Sequence, residues 1–373
     1  MTHRIVVLGA GYAGLGAAKR AARRLRGTGA QVTLVNAADR FVERIRLHQL
    51  ATGQKLLDLP LTGLLDGTGV DLVVARVTGL DLPAREVRVD AAPYTLGYDT
   101  LVYALGSGAD LDTVPGVREH AFSVAAAGEA ARLRSQLPGL SSLTVVGGGL
   151  TGIETAAELA AARPGLRVEL VTGDRIGAGL SERARRHLHS ALGRMGVAVR
   201  EHAVISKVGP DSLQWDDGGE LPAEAVVWTA GFRVPGLAAA SGLATDESGR
   251  ILVDRTLRSV SHPEVLGIGD AAQVPDDLSR MSCQTALPMG MHAGVVLADL
   301  ATGRPPRPVR IRYVWQNISL GRLDGVTQFT RADDSPLGDA VLTGRASARF
   351  KEAVSRGTVA LMRYSGLPSA ARR

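Results

Sequence analysis

Residues 5–14 read Ile5-Val6-Val7-Leu8-Gly9-Ala10-Gly11-Tyr12-Ala13-Gly14, and the pattern returns at 143–152 as Leu143-Thr144-Val145-Val146-Gly147-Gly148-Gly149-Leu150-Thr151-Gly152. Each copy is an apolar, β-branched run that predicts a buried strand, closed by a G-x-G-x-x-G turn. Residues 15–25 and 153–162 follow as alanine-rich helix formers, and 31–35 and 167–171 as returning strands. In such a turn the first glycine permits the bend and the second lets backbone approach a pyrophosphate. The third permits close helix–strand packing, while the helix N-terminus presents partial positive charge. One match alone is weak evidence, because glycine also tightens ordinary turns. A match between a strand and a helix, occurring twice, predicts two nucleotide-binding half-folds and two dinucleotides. The expected fold is α/β, with two Rossmann-like dinucleotide-binding domains, the second inserted into the first, plus a small C-terminal α+β module.

The rest of the chain fits around these units. A length of 373 residues predicts two or three domains, and 45% apolar with 21% charged residues is a globular balance. No apolar run reaches the ~18–20 residues of a membrane span. The chain enters its first strand with no cleavable leader ahead of it, and its one cysteine, Cys283, excludes a disulfide framework, a zinc cluster and a Cys-x-x-Cys relay. A cytoplasmic protein is expected, without a metal site. Shorter strands are predicted at 72–77, 86–89, 199–208 and 225–229. Crossings between domains are expected at Val114-Pro115-Gly116 and after Ala230-Gly231-Phe232, and a linker at Gly303-Arg304-Pro305-Pro306-Arg307-Pro308, where proline cannot continue a helix. The expected domains are 1–114 with 233–303, 115–232, and 309–373. Residues 304–373 carry thirteen Lys/Arg against five Asp/Glu, whereas the remainder is close to neutral. That asymmetry suggests an anionic partner or surface, although 39 arginines against four lysines also fits a compositional bias. No nucleic-acid-binding motif accompanies the charge.

The ribose contact should lie at the end of each returning strand. In the first unit that position is Asn36. In the second it is Thr172, followed by Gly173-Asp174-Arg175. Without an acid there, the choice between NADH and NADPH stays open, and Arg175 is available for a 2′-phosphate. A third signal is Val265-Leu266-Gly267-Ile268-Gly269-Asp270-Ala271-Ala272. Together these motifs resemble the two-dinucleotide-binding-domain flavoprotein superfamily. So does Tyr98-Asp99-Thr100-Leu101-Val102-Tyr103-Ala104-Leu105-Gly106, with Leu105 in place of the usual threonine, and so does Val227-Trp228-Thr229-Ala230-Gly231-Phe232. The resemblance implies FAD in the first unit and NADH or NADPH in the second, and it puts Asp270 on the ribityl chain. An ordinary helix cap is the plain alternative for Asp270. By the same resemblance Gly9, Gly11, Tyr12, Ala13, Gly14, Asn36, Arg44, Val77, Ala104, Gly106, Gly269 and Asp270 serve FAD. Gly147, Gly149, Leu150, Thr151, Gly152, Thr172 and Gly231 serve the pyridine nucleotide.

A single cysteine argues against the dithiol branches. The segment Gly147 to Glu154 is similar to type II NADH:quinone oxidoreductases and relatives of apoptosis-inducing factor. This implies Glu154 near the flavin–nicotinamide stack, orienting the amide or relaying a proton; an exposed first-turn acid is the alternative. In Ser282-Cys283-Gln284-Thr285-Ala286-Leu287-Pro288-Met289-Gly290-Met291-His292, Gln284 fits the family's quinone entrance. Pro288 and Met289 replace its glutamine pair. Met289 and Met291 then line an acceptor pocket or simply pack. Glu43, Arg44 and Arg46 interrupt a stretch that is apolar in relatives; they point to an anionic acceptor or FAD phosphates, or else to a solvated face with Glu43–Arg46 pairing. In the C-terminal module, helical spacing puts Phe350, Val354, Leu361 and Tyr364 on one stripe beside Arg349, Arg356 and Arg363. This stripe lies on an anionic membrane, on the protein body or on a homodimer partner. The resemblance implies an FAD-dependent NAD(P)H oxidoreductase with a quinone-like acceptor. The alternatives are an NADH-sensing redox module and a reductase of a small iron–sulfur protein.

Overall fold

The computed structural model describes residues 2–275 and 279–363. Ile5, Val6, Val7 and Leu8 are all buried, as a strand covered on both faces must be. They form the middle of a five-stranded parallel sheet in the order Val265–Gly267, Thr100–Tyr103, Arg4–Leu8, Gln31–Asn36, Val70–Val74. The second sheet, also parallel, runs Ala198–Arg200, Arg167–Val171, Ser142–Val146, Val226–Trp228, Ala121–Phe122. In both sheets the strand before the glycine turn sits between its returning strand and a later one. Both turns therefore open at the carboxyl ends of the strands, where open α/β sheets bind ligands.

The helices begin directly at the turns, at Tyr12–Arg24 and Leu150–Ala162, three residues ahead of the sequence expectation. Two expected strands are broken. The run 72–77 leaves the sheet edge after Val74. The Arg76 N–H then turns to Asp90, and Val77–Asp81 starts an antiparallel sheet with Glu86–Val89. The run 199–208 stops at Arg200; His202 takes φ +59°, and Ile205–Val208 pairs with Ser212–Trp215 instead. The chain passes between the two sheets through Gly108–Ala109 and Phe232–Arg233, which pair antiparallel. That is a few residues ahead of the Val114-Pro115-Gly116 turn, which is tied to the second unit by Val208 N–H donating to the Pro115 carbonyl.

The helix Cys283–Ala301 lies against Tyr12–Arg24 so closely that a Cβ on Gly290 would collide with the Ala13 carbonyl, and one on Gly294 with the Arg20 side chain. The last module is a three-stranded antiparallel sheet, Trp315–Leu320, Asp324–Thr330 and Pro336–Thr343, followed by the helix Gly344–Arg363. Ile318, Leu320 and Val326 join the core of the second unit, while Val359 and Met362 join that of the first. The helix buries Ser347, Ser355, Val359 and Met362, a face different from the expected stripe. Phe350 stands edge-on to Trp315, with centroids 5.2 Å apart, and Val354 and Leu361 are half-buried. Tyr364 lies outside the described residues. Lys19 secures this docking, its buried ammonium donating to the carbonyls of Leu64 (2.7 Å) and Met362 (2.6 Å). A cation at a helix C-terminus also complements the dipole. Among the described residues no helix is long and apolar enough to cross a membrane.

Candidate active site

At the first turn Gly9 takes φ +95°, and a Cβ on Gly14 would strike the Gly9 carbonyl oxygen. Beside Gly11 the space is open, and the helix that follows has neither a side-chain cap nor a first-turn acid. Its amide N–H groups are thus available to an anion. Asn36 closes the loop: its Oδ1 accepts from Ala10 N–H (2.9 Å), and its Nδ2 donates to the Ala38 carbonyl (2.8 Å). Both polar ends of that side chain are engaged with backbone. Tyr12 is buried edge-on to Phe41, with centroids 5.0 Å apart, and Tyr12 Oη has no partner among the described residues. Burial, the largest effect, pushes its ionisation far above the ordinary phenol range. Ala13 lies beneath Gly269 and Gly290, and the Ala104 carbonyl packs on Gly9. Val77 is half-buried where the antiparallel sheet begins.

Facing this turn is a polar group drawn from three distant segments. Ser107 Oγ donates to Asp270 Oδ2 (2.7 Å), and Arg44 Nη1 lies 3.5 Å from the same oxygen and 3.4 Å from Ser107 Oγ. Gly106 and Gly269 adjoin it, both with positive φ. An unpartnered buried hydroxyl on Tyr12, open space beside Gly11 and the Asp270 carboxylate fit a bound flavin dinucleotide. Met289 is not at an open pocket: it is fully buried, its sulfur 2.9 Å from Gly269 N. Met291 packs with Leu287 over Gly16. Met289 therefore packs, whereas Met291 lines a small apolar cavity with Leu287, Leu361 and Met362. The Cys283 thiol is pushed up by burial, which keeps it protonated. Gln284 Oε1 accepts from Arg280 (3.1 Å), whose guanidinium pairs with Asp334 (2.6 Å) and lies over the Tyr313 ring. Gln284 is thereby tied to the C-terminal sheet.

The second turn has the same backbone. Gly147 takes φ +123° with Thr229 Oγ1 underneath, and a Cβ on Gly152 would collide with the Gly147 carbonyl. Gly149 is open on its outer side, with Leu150 and Thr151 half-exposed next to it. Thr172 is buried under Gly148, where a Cβ would sit 2.6 Å from its Oγ1. Gly173, Asp174 and Arg175 are the residues that stand outward at the end of that strand. Gly231 lies at the crossing between the units, where its carbonyl accepts from Asp110 N–H.

Where the three modules meet, ionic groups are buried together. Glu154 is only 7% exposed, so it is not a solvated first-turn acid. Its Oε1 accepts from Ser319 N–H (2.8 Å) and Ser319 Oγ (3.0 Å), and it forms an ion pair with Lys351. Lys351 also donates to the Asn317 carbonyl (3.2 Å). Burial, and to a lesser degree the Arg46 charge, pulls the Lys351 ammonium down to about 7. One turn along, Glu158 pairs with Arg322 (2.6 Å) and accepts from Gln54. Arg46 links Glu43 (3.2 Å) to Glu352 (2.9 Å). The expected Glu43–Arg46 pair is thus present, but buried rather than solvated. His48 is buried among these cations with Nε2 unpartnered, and burial lowers its pKa well below the ordinary value. Lys351, His48, Ser107 and Ser319 escaped the sequence reading. One signal for Lys351 was available: it is one of four lysines in a chain of 39 arginines.

The sequence profile of the family described as "Pyridine nucleotide-disulphide oxidoreductase" matches residues 3–290. The chain belongs to that family. It is an oxidoreductase of the flavin- and NAD(H)-using kind, although it lacks a disulphide pair. An NADH dehydrogenase-like protein of Mycobacterium tuberculosis is 34% identical over 351 residues, covering 87% of each chain. A demethylphylloquinone reductase of Synechocystis is 27% identical over 343 residues, covering 85% of this chain and 84% of that one. Among solved structures, the sulfide:quinone oxidoreductase of Aquifex aeolicus aligns with TM-score 0.82 and 18% identity, over 99% of this chain and 93% of that one. The Plasmodium falciparum NDH2 solved with NADH aligns with TM-score 0.80 and 15% identity, over 97% and 98%. At such identities the structural likeness establishes the family fold: two Rossmann-like units in one chain.

Proposed function

We propose that the chain is an FAD-dependent NAD(P)H oxidoreductase with a quinone or quinone-like acceptor. FAD is assigned to residues 1–114 with 233–303, NAD(P)H to 115–232, and residues 309–373 form the module that completes the junction. The observation that carries the reading is the Glu154–Lys351 pair, buried where the helix of the second turn meets the C-terminal module. Reducing a quinone by two electrons requires a hydride equivalent and a proton. The flavin, when bound, supplies the hydride transfer. The chain supplies the rest. Gly11 and the Tyr12–Arg24 helix start would hold the pyrophosphate, Asp270 with Ser107 would take the ribityl hydroxyls, and Arg44 would add positive charge alongside. Gly149 and the Leu150–Ala162 helix start hold the pyridine nucleotide's pyrophosphate. Lys351 donates the proton to a quinone oxygen, and Glu154 fixes the ammonium and offsets its charge. Gln284 positions Arg280 at the edge of the acceptor space.

The relatives named for quinone chemistry support this acceptor class. The Gly344–Arg363 helix turns Val359 and Met362 inward, which supports docking on the protein body over insertion into lipid. Its exposed Arg345, Arg349, Arg356 and Arg363 share one helical stripe, and a purely electrostatic contact with an anionic membrane surface is assigned to them. Anaerobic mixing with NADH and NADPH tests the reading. The yellow protein should bleach within seconds with at least one nucleotide and regain colour on addition of a naphthoquinone. A flavin that neither nucleotide reduces, or that reoxidises no faster with quinone than without, overturns it.

A further inference from the structure

The end of the Arg167–Val171 strand is where a dinucleotide bound at the second turn brings its adenosine ribose. Three acidic groups lie near it. Glu201 accepts from Ile176 N–H (2.8 Å) and lies 3.3 Å from His189 Nε2, so it is engaged. Glu169 is paired with Arg200 (2.9 Å) on the strand itself. Asp174 is exposed and accepts from Arg175 N–H through Oδ1 (2.7 Å). Thr172, at the position from which an acid would grip a ribose diol, is buried under Gly148. By contrast the Arg175 guanidinium is exposed and has no partner among the described residues, and His202 is exposed across the loop. That loop is held in place by Ala203 N–H donating to the Thr172 carbonyl (2.9 Å). Val204, half exposed at 51%, lies against Gly173 and places an apolar side chain beside these groups.

We infer that Arg175 is the specificity residue for the coenzyme and that it selects a 2′-phosphorylated adenosine, making NADPH the preferred donor. A guanidinium fork matches two phosphate oxygens, and a 2′-phosphate is the one feature of NADPH that NADH lacks. Asp174, the adjacent carboxylate, is the group that retains NADH as a weaker substrate. The inference rests on the proposed function for the location of the nucleotide, and the test keeps the two apart.

Calorimetric binding of adenosine 2′,5′-bisphosphate and of 5′-AMP to the flavin-loaded full-length protein reads the site without any redox step. The bisphosphate should bind at least about tenfold more tightly, as expected for a charge-assisted contact. Arg175→Ala should remove that difference and leave 5′-AMP binding unchanged, Arg175→Lys should restore part of it, and Asp174→Asn should widen it. Rates of flavin reduction should follow the same order, with NADPH faster than NADH in the natural protein and about equal in Arg175→Ala. Equal binding of the two nucleotides, tighter binding of 5′-AMP, or a parallel loss of both in Arg175→Ala overturns the inference while leaving the NAD(P)H reading intact. Discrimination by Arg175 without flavin reduction by either nucleotide would sink the proposed function and keep the specificity assignment.

Discussion

At the first glycine turn the loop is closed by a side chain, Asn36 on Ala10; Tyr12 packs edge-on against Phe41, and Arg44 lies beside Asp270. At the second turn the same backbone is closed from below by Thr172 and Thr229. Its outer side is bordered only by half-exposed Leu150 and Thr151 and the outward residues 173–175. A turn flanked by buried side chains and a charged pair suits a resident prosthetic group. An open one suits a cosubstrate that must enter and leave at every turnover. On the proposed function, the backbone of the turn sets what binds and the surroundings set how long it stays.

The widest separation of the two cradles should come from their third glycines. In Gly14→Val and Gly152→Val the added side chain meets a carbonyl oxygen in the same way. Gly14→Val should yield protein without the 450 nm flavin band, or no folded protein at all. Gly152→Val should remain yellow, with nucleotide-dependent bleaching slowed at least a hundredfold, roughly the loss of a positioned reactant. If Gly152→Val lost its colour while Gly14→Val kept it, the assignment of the two sites would be reversed.

The next test concerns the junction between them. Lys351→Met should lower the quinone half-reaction by about 10²–10³, the range of general acid catalysis, and leave flavin reduction within a few-fold. In the natural protein the quinone step should fall as pH rises through about 7, where Lys351 loses the proton it donates; stopped-flow across pH 6–9 reads this directly. Stability should move the opposite way. In the folded chain Lys351 lies below the ordinary lysine value of 10.5, so between about 7 and 10.5 the unfolded chain holds a proton that the folded chain lacks. Stability therefore rises with pH across that window, and the cost of burying the ammonium is fully present below it. Lys351→Met should flatten that slope in denaturation at several pH values. A quinone step that is flat in pH and equal in the mutant would remove Lys351 from the chemistry.

Arg46→Met sharpens the difference in a third way. Arg46 holds Glu43 and Glu352 together across two modules, and removing one partner of a buried ion pair costs about 3 kcal/mol, because a carboxylate is left uncompensated. The variant should unfold at clearly lower denaturant with its flavin band shifted little. The double variant Glu43→Gln/Arg46→Met should recover part of the loss; no recovery would mean that Arg46 acts through packing and not through its charge.

How much of this was legible beforehand depended on range. The glycine turns, their strands and Asp270 are written in contiguous residues with a fixed period, and the sheets assemble them as the pattern implies. The strands at 72–77 and 199–208 were misread because an apolar run does not reveal where the chain changes sheets. The cues were instead a side-chain acceptor at Asp90 and a positive φ at His202. The C-terminal helix and its docking on the protein body follow the sequence, but its buried face is offset from the Phe350–Leu361 stripe because that face is partly polar: Ser347 and Ser355 bracket Lys351, which apolar periodicity passes over. The Glu154–Lys351 pair spans 197 positions, and no local pattern encodes a contact of that range.

The smallest expected effect tests how each loop is closed. Asn36→Ala removes an acceptor for Ala10 N–H and a donor to the Ala38 carbonyl, and should cost about 1–2 kcal/mol of stability. Thr229→Val removes one hydroxyl donor to the Val146 carbonyl (2.8 Å) while keeping the volume under Gly147, and should cost about 1 kcal/mol. With flavin resident in the first cradle, as proposed, bound flavin should mask most of the Asn36→Ala loss in the holoprotein and expose it in the apoprotein. The Thr229→Val loss should be the same in both. Thermal unfolding of the two variants with and without flavin separates these cases: an Asn36→Ala loss that flavin does not mask would mean that the side chain shapes the loop but not the ligand's seat.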